Sequence, residues 1–341
     1  MNKVVSIITP SFNRAYIVDE TAQSIFNQTY PHWEWVITDD GSTDESWEKL
    51  QQYAASDSLV KIFKRDRDPK GACVCRNISV ERCTGDYVMF LDTDDVLASF
   101  CLGQRVKAMQ ENEDCDFVIF PMLLFKSKPD DTRIIWNIDK DEDDLARILR
   151  GDAVCQGTGP LWKKSSFVKV GMWKEDLKLW QDIELHIRSL LYPVKYKKRL
   201  DLKPDVFLRI SDDSLSRVGY YSAPKMQSRI SVYNYACSKI KEAGLQQKYA
   251  APLKVMGIDV LVSAVKSGYY EGASEMVETL NRYKVVDSQE LRKINRYIAF
   301  SKAKLYKLPF LYNGLQQKVM DMGHVGGVTI TSVKWTGEVA L

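Results

Sequence analysis

The chain has 341 residues, of which 45% are hydrophobic and 27% charged, and its formal net charge is +3. This is the make-up of an ordinary globular protein with room for two domains, and it excludes a disordered or fibrous chain and a strongly basic nucleic-acid binder. Seven scattered Cys beside only three His, with no Cys-x-x-Cys pair, argue against a zinc site. With no leader-like start and no apolar run near the roughly 20 residues that cross a bilayer, they point to a reduced, cytoplasmic protein.

Val4–Thr9 is a continuous apolar run of the kind that forms a buried parallel strand. Pro10-Ser11-Phe12-Asn13-Arg14 breaks it, and residues 16–27 then carry apolar side chains at helical spacing. Trp33–Thr38 reads as a second strand, stopped by Asp39-Asp40-Gly41-Ser42-Thr43-Asp44, where Ser42 or Thr43 is expected to cap the next helix. A strand at Leu59–Lys64, a helix at Ala72–Arg82, a strand at Tyr87–Leu91, a helix at Ser99–Glu111 and a strand at Asp116–Phe120 follow. Strands alternating with helices predict an α/β fold with a mostly parallel sheet.

Beyond Phe120 the pattern loosens. Residues 122–138 read as a hairpin or irregular excursion and Asp141–Arg150 as a short helix. Gly157-Thr158-Gly159-Pro160 reads as a loop needing unusual backbone angles, Trp180–Leu191 as a helix, and Val194–Leu200 and Val206–Ile210 as strands. From about Ala223 the chain turns helical until a strand-like Val328–Trp335. Two parts are expected, 1–225 and 226–341. The second carries 16 basic and 9 acidic side chains, the first 32 and 36.

Gly85-Asp86-Tyr87-Val88-Met89-Phe90-Leu91-Asp92-Thr93-Asp94-Asp95 is the richest segment. A buried strand running into three carboxylates places hard oxygen ligands at the carboxyl end of a sheet, where open α/β sheets bind ligands. Such carboxylates repel one another, so a divalent cation carrying a phosphorylated ligand is the natural partner. Asp94 and Asp95 are the first candidates for the closest metal contacts, with Asp92 assisting, and the sequence leaves open which of the three ligates the metal. A helix-capping turn accounts for one of the three, not for all.

These motifs, taken with Val5–Arg14, Ser24–Tyr30, Thr38–Asp44 and Arg76-Asn77, resemble the nucleotide-binding half of a family 2 glycosyltransferase with a GT-A, Rossmann-like fold. Trp180–Leu185 and Leu208–Arg217 are similar to later elements of that family, so the resemblance covers about residues 4–220. It implies inverting transfer of a sugar from a nucleotide-diphosphate donor, most simply a UDP-sugar, to a glycan or lipid-linked glycan acceptor, with Mn²⁺ or Mg²⁺ as cofactor, in the building of a polysaccharide or surface glycan. It implies nucleotide contacts at Pro10, Phe12, Asp40, Arg76, Asp92 and Asp94, and a catalytic base at Asp182. Gln181 stands where the family commonly has Glu. Gly159 and Trp162 fall where the family lines its acceptor channel, Trp162 and Trp180 each being suited either to stack on a sugar ring or to fill the core, and Arg209 and Arg217 fall where the diphosphate is reached.

Two other readings compete. A nucleotidyltransferase should carry a glycine-rich basic loop after its first strand, and Thr9–Arg14 is not one. A sugar-nucleotide or glycan-binding module without catalysis is favoured only by Gln181. In the last third, residues 291–319 interleave Arg292, Lys293, Arg296, Lys302, Lys304 and Lys307 with apolar residues. That pattern suits either a peripheral contact with an anionic membrane or plain packing on the rest of the chain.

Overall fold

The computed structural model describes residues 3–211, 218–305, 309–323 and 333–339. The first half runs β1 (Val5–Ser11), α1 (Val18–Phe26), β2 (Trp33–Asp39), α2 (Ser46–Ser56), β3 (Val60–Lys64), α3 (Ala72–Arg82), β4 (Tyr87–Phe90), β5 (Val96–Leu97), α4 (Cys101–Glu111) and β6 (Phe117–Ile119). Then come β7 (Met122–Phe125), β8 (Ile134–Ile135), α5 (Asp144–Leu149), β9 (Pro160–Lys163), α6 (Lys164–Val170), α7 (Gln181–Leu191), β10 (Tyr196–Lys198) and β11 (Val206–Arg209). Five helices follow: α8 (Ala223–Glu242), α9 (Ala250–Lys266), α10 (Tyr270–Arg282), α11 (Ser288–Lys302) and α12 (Pro309–Met322), with β12 (Val333–Lys334) after them.

The main sheet has the order β10-β6-β9-β4-β1-β2-β3. Strands β4, β1, β2 and β3 are parallel, in a register that sets Ser11 beside Asp39 and Ile8 beside Phe90. Their near-continuous apolar sequence follows from burial on both faces: Val5, Ile7, Ile8, Trp35, Val36 and Ile37 are fully buried, each contributing about 1.5–3 kcal/mol. All four strands end on one edge, so the loops after them converge there. A second sheet, β12-β8-β7-β11-β5, leaves this edge through β5.

Strand β9 departs from the expected pattern. Pro160, read as the end of a loop from Gly157, instead opens a strand, Pro160–Lys163, antiparallel to both β4 and β6. It fills the gap between two parallel units whose facing edges would otherwise hold unpaired backbone groups. The glycines before it have no left-handed angles. They are small for want of room: a Cβ on Gly159 would sit 3.0 Å from Met122 Cε, and one on Gly157 3.1 Å from the Trp173 ring.

Ser42 and Thr43 do not cap α2, which starts at Ser46. They tie back to the first loop instead: Ser42 Oγ accepts from Asn13 N (3.0 Å), and Thr43 N donates to Asn13 Oδ1 (2.8 Å). The change of character near Ala223 coincides with the start of α8. One hydrophobic cluster nevertheless runs without a break from Ile8, Val36 and Phe90 of the sheet to Tyr233, Leu261, Tyr297 and Val319 of the helices. No helix among the described residues is long and apolar enough to cross a membrane.

Candidate active site

Each loop at the carboxyl edge of the sheet is held by the one beside it. Asp40, just past β2, donates its N–H to Ser11 O (2.8 Å). Its neighbour Asp39 makes the turn, accepting from the N–H groups of Gly41 and Ser42 at 2.9 Å each. Gly41, at φ 83°, supplies the left-handed angle. With the turn made by Asp39, the Asp40 carboxylate is left to face across the edge. There it accepts from Arg65 Nε at 2.7 Å. Arg65 follows β3 and was not singled out from sequence; a basic residue just beyond a strand on this edge was the available signal. Phe12 also lies on this rim, with the Lys70 ammonium 3.5 Å from its ring centre. Pro10 of β1, beside it, is half-buried.

The acidic turn joins β4 of one sheet to β5 of the other. Arg76, on α3, reaches it with Nη2 2.6 Å from Asp92 Oδ1. Its side chain is 11% exposed and that of Asp92 44%. The guanidinium lies 5.0 Å from the Trp173 ring, and its buried Nε has no hydrogen-bond partner. Burial, and then Asp92, push the Asp94 carboxyl up, against the opposing charges of Arg14 and Arg209. Burial, and then Asp94 and Asp92, push Asp95 well above the carboxylate range. Arg14, part of the first loop, is thus a further basic neighbour of the turn.

The three carboxylates do not share one role. Asp95 is buried and accepts from Arg209 N at 3.0 Å, while its carbonyl accepts from Thr21 Oγ1 at 2.8 Å. Asp95, expected at the metal, is buried with one oxygen engaged by the backbone of β11, which leaves Asp92 and Asp94 as the more exposed carboxylates of the turn. Asp92 and Asp94 face the edge. Among the described residues no group of three or more His, Cys, Asp or Glu is gathered into a metal cage. Two neighbouring carboxylates at this edge fit a cation that takes its remaining ligands from phosphate.

Asp182 lies in the first turn of α7, half-buried, with Oδ1 accepting from Ile183 N at 2.9 Å. Burial pushes its carboxyl up. Arg76 opposes that shift and Asp92 adds to it, which brings Asp182 within electrostatic reach of the acidic turn. Gln181 donates Nε2 to Leu177 O at 3.1 Å, a local role that needs no carboxylate. His186, one turn on, is buried 3.4 Å from Cys155 Sγ, and burial lowers it to about 4, so it is neutral at physiological pH.

Other expected contacts lie elsewhere. Trp162 is fully buried and stacks on Phe117 at 3.9 Å between centroids. Strand β9 carries it into the core, so neither it nor buried Gly159 lines an acceptor channel. Trp180 is half-buried, with the Arg229 guanidinium 4.5 Å from its ring. Arg209 is at the acidic turn, where its guanidinium is engaged by Asp94 O (3.0 Å), Lys126 O (3.1 Å) and Glu20, so it braces the turn. Arg217 lies outside the described residues.

Residues 6–171 match the sequence model of glycosyl transferase family 2. Over 114 residues, 33% of this chain and 44% of the relative, the chain is 40% identical to TuaG of Bacillus subtilis (strain 168), named for teichuronic acid biosynthesis. Over 109 residues, 32% of this chain and 42% of the relative, it is 33% identical to WfgD of Escherichia coli, a UDP-Glc:alpha-D-GlcNAc-diphosphoundecaprenol beta-1,3-glucosyltransferase. The matched region spans less than half the length of these curated relatives. Among solved structures, TarS 1-349 of S. aureus in complex with UDP-GlcNAc superposes with a TM-score of 0.65 over 98% of this chain and 99% of that one, at 16% identity. The two share a fold. With parallel strands ending on one acidic edge and the fold it shares with TarS, the chain carries over residues 6–171 a region that matches glycosyl transferase family 2.

Proposed function

We propose that this chain is an inverting glycosyltransferase that moves a sugar from a nucleoside-diphosphate donor to an acceptor hydroxyl. The carrying observation is that Asp182 stands at the start of α7 within electrostatic reach of Arg76 and Asp92, with Asp40 and Arg65 farther along the same sheet edge. The base and ribose of the donor would lie along Pro10, Phe12 and Asp40. Arg76, with an unpartnered buried Nε, has donor capacity to turn toward an anionic ligand. Asp92 and Asp94 would hold Mg²⁺ or Mn²⁺, which when bound neutralises negative charge on a departing diphosphate.

Asp182 takes the proton of the acceptor hydroxyl as that oxygen bonds to the anomeric carbon and the bond to the diphosphate breaks on the opposite face. A base in this role must be ionised and within hydrogen-bond reach of the hydroxyl. UDP is the preferred nucleotide and a glycan or lipid-linked glycan the preferred acceptor, in surface-polysaccharide synthesis; the names of WfgD and TuaG and the ligand of the TarS structure support this choice. A cytoplasmic enzyme meeting its acceptor at the inner membrane face fits the exposed basic face of α11, with Arg292, Lys293 and Arg296.

Thermal shift against UDP-, GDP- and TDP-sugars with Mn²⁺, followed by nucleotide release, tests the reading. Binding without release under any acceptor mixture would make the chain a binding module. Sedimentation with anionic vesicles tests the membrane contact, which fails if Arg292→Glu and Arg296→Glu together leave binding unchanged.

A further inference from the structure

Trp180 stands at the N-terminal boundary of α7 with φ 62° and ψ 29°. A left-handed backbone is rare for a bulky residue with a Cβ and persists only where surrounding contacts impose it. No side chain caps this end of α7. The imposing contacts come from α8, across the change from α/β to helical structure. The Arg229 guanidinium lies 4.5 Å from the Trp180 ring centre and 5.2 Å from that of Tyr220. Its side chain is 1% exposed, with Nη2 2.5 Å from Asp259 Oδ2. The preceding residue, Ser228, accepts the Lys178 N–H on its Oγ at 2.8 Å. Two consecutive residues of α8 therefore grip two points of the turn that delivers Asp182.

We propose that Arg229 is a positioning residue for Asp182: by clamping Trp180, with Ser228 holding Lys178, it fixes the backbone turn that aims the Asp182 carboxylate into the site. The inference rests on the reading of Asp182 as the base. It gives the helical part a task in the reaction. A buried arginine whose Nε has no partner and whose one carboxylate is 44% exposed is weak ground for stability alone, since apolar replacement of buried ion pairs is often neutral or stabilising. A cation over an indole face has a geometric preference that an aliphatic side chain lacks.

The test compares Arg229→Met, Arg229→Lys, Ser228→Ala and Asp182→Asn in the full chain, using the donor that responds in the nucleotide-sugar screen. Arg229→Met is expected to lower kcat at least tenfold, leaving the donor KM and the calorimetric affinity for its nucleotide within twofold. Arg229→Lys should restore part of the loss, and Ser228→Ala should lower kcat two- to fivefold. Wild-type kcat in Arg229→Met, or a loss of kcat matched by an equal loss of nucleotide affinity, overturns the proposal. If Arg229→Met does not fold, the other two variants decide: a lowered kcat at unchanged KM in either supports it, and wild-type kcat in both overturns it. Asp182→Asn separates the premises. If it still transfers, the assignment of the base is wrong; if it is inactive while Arg229→Met is normal, only the clamp is wrong.

Discussion

Glu34 at the amino end of the main sheet and Asp94, Asp95 and Asp182 on the carboxyl side are treated in opposite ways. At the amino end, Glu34 of β2 is buried and accepts from Ser6 Oγ (2.6 Å), Thr84 N (2.5 Å), Gly85 N (3.0 Å) and Lys61 Nζ (2.5 Å). Burial alone would raise its pKa, yet Lys61, Ser6 and Thr84 together bring it down to about 2. At the carboxyl end, Asp94, Asp95 and Asp182 are all pushed up, burial being the leading cause for each. The acid with a complete set of donors holds strands together. The acids without one are poised for a positive partner or a proton. Strained electrostatics collected on one edge mark the functional site more sharply than the presence of acids does.

The strongest way to break this contrast is Asp182→Asn, which keeps the shape and removes the base. Transfer should fall about 10²- to 10⁴-fold while calorimetric nucleotide affinity stays within twofold; full transfer would remove Asp182 from the chemistry. At the other end, Glu34→Gln should lower stability by about 3 kcal/mol at pH 7, from a shift of 4.5 to about 2 at about 1.4 kcal/mol per unit. The Glu34 contribution is present above pH 4.5 and is lost as pH falls through 2, so urea melts of the two proteins should converge in acid. Specific activity per folded molecule should not change.

The carboxyl end should titrate with the opposite sign. Asp94, Asp95 and Asp182 have native pKa values raised above their unfolded ones. Their cost is therefore absent below pH 3.8, grows as pH rises toward the native values, and is complete above them. Mn²⁺ should raise the melting temperature most at neutral pH, by an amount equivalent to about 2.7 kcal/mol at a hundredfold excess over Kd, and progressively less in acid. A pH-independent shift would place the cation elsewhere. The smallest expected effect is at Asp40: Asp40→Asn removes the charge facing Arg65 and should weaken UDP binding about tenfold, about 1.4 kcal/mol, with little change in stability.

The sequence made β1, β2, β3, α3 and β4 legible because strands buried on both faces are continuous apolar runs and their ends carry turn chemistry. While Arg76 came from the resemblance to the family, the same logic placed the loops that carry Asp40 and Asp92–Asp95 on one edge, since loops after parallel strands must share it. It could not find β9, whose four residues after a glycine-rich loop have no strand period of their own. Pairing with β4 and β6 makes them a strand and sends Trp162 into the core. It also missed Arg65, Lys70 and Arg229, whose partners lie in other segments.

By itself, then, the sequence determined the alternating architecture, the acidic edge and the family resemblance, because local periodicity and ordered motifs encode them. Tertiary structure alone decided where each of the three aspartates is placed. Arg209, 114 residues from Asp95, puts its N–H on that carboxylate and turns it inward, leaving Asp92 and Asp94 at the edge. No local pattern encodes a contact across that separation; it exists only once β11 has paired with β5 and β7 and fixed the register.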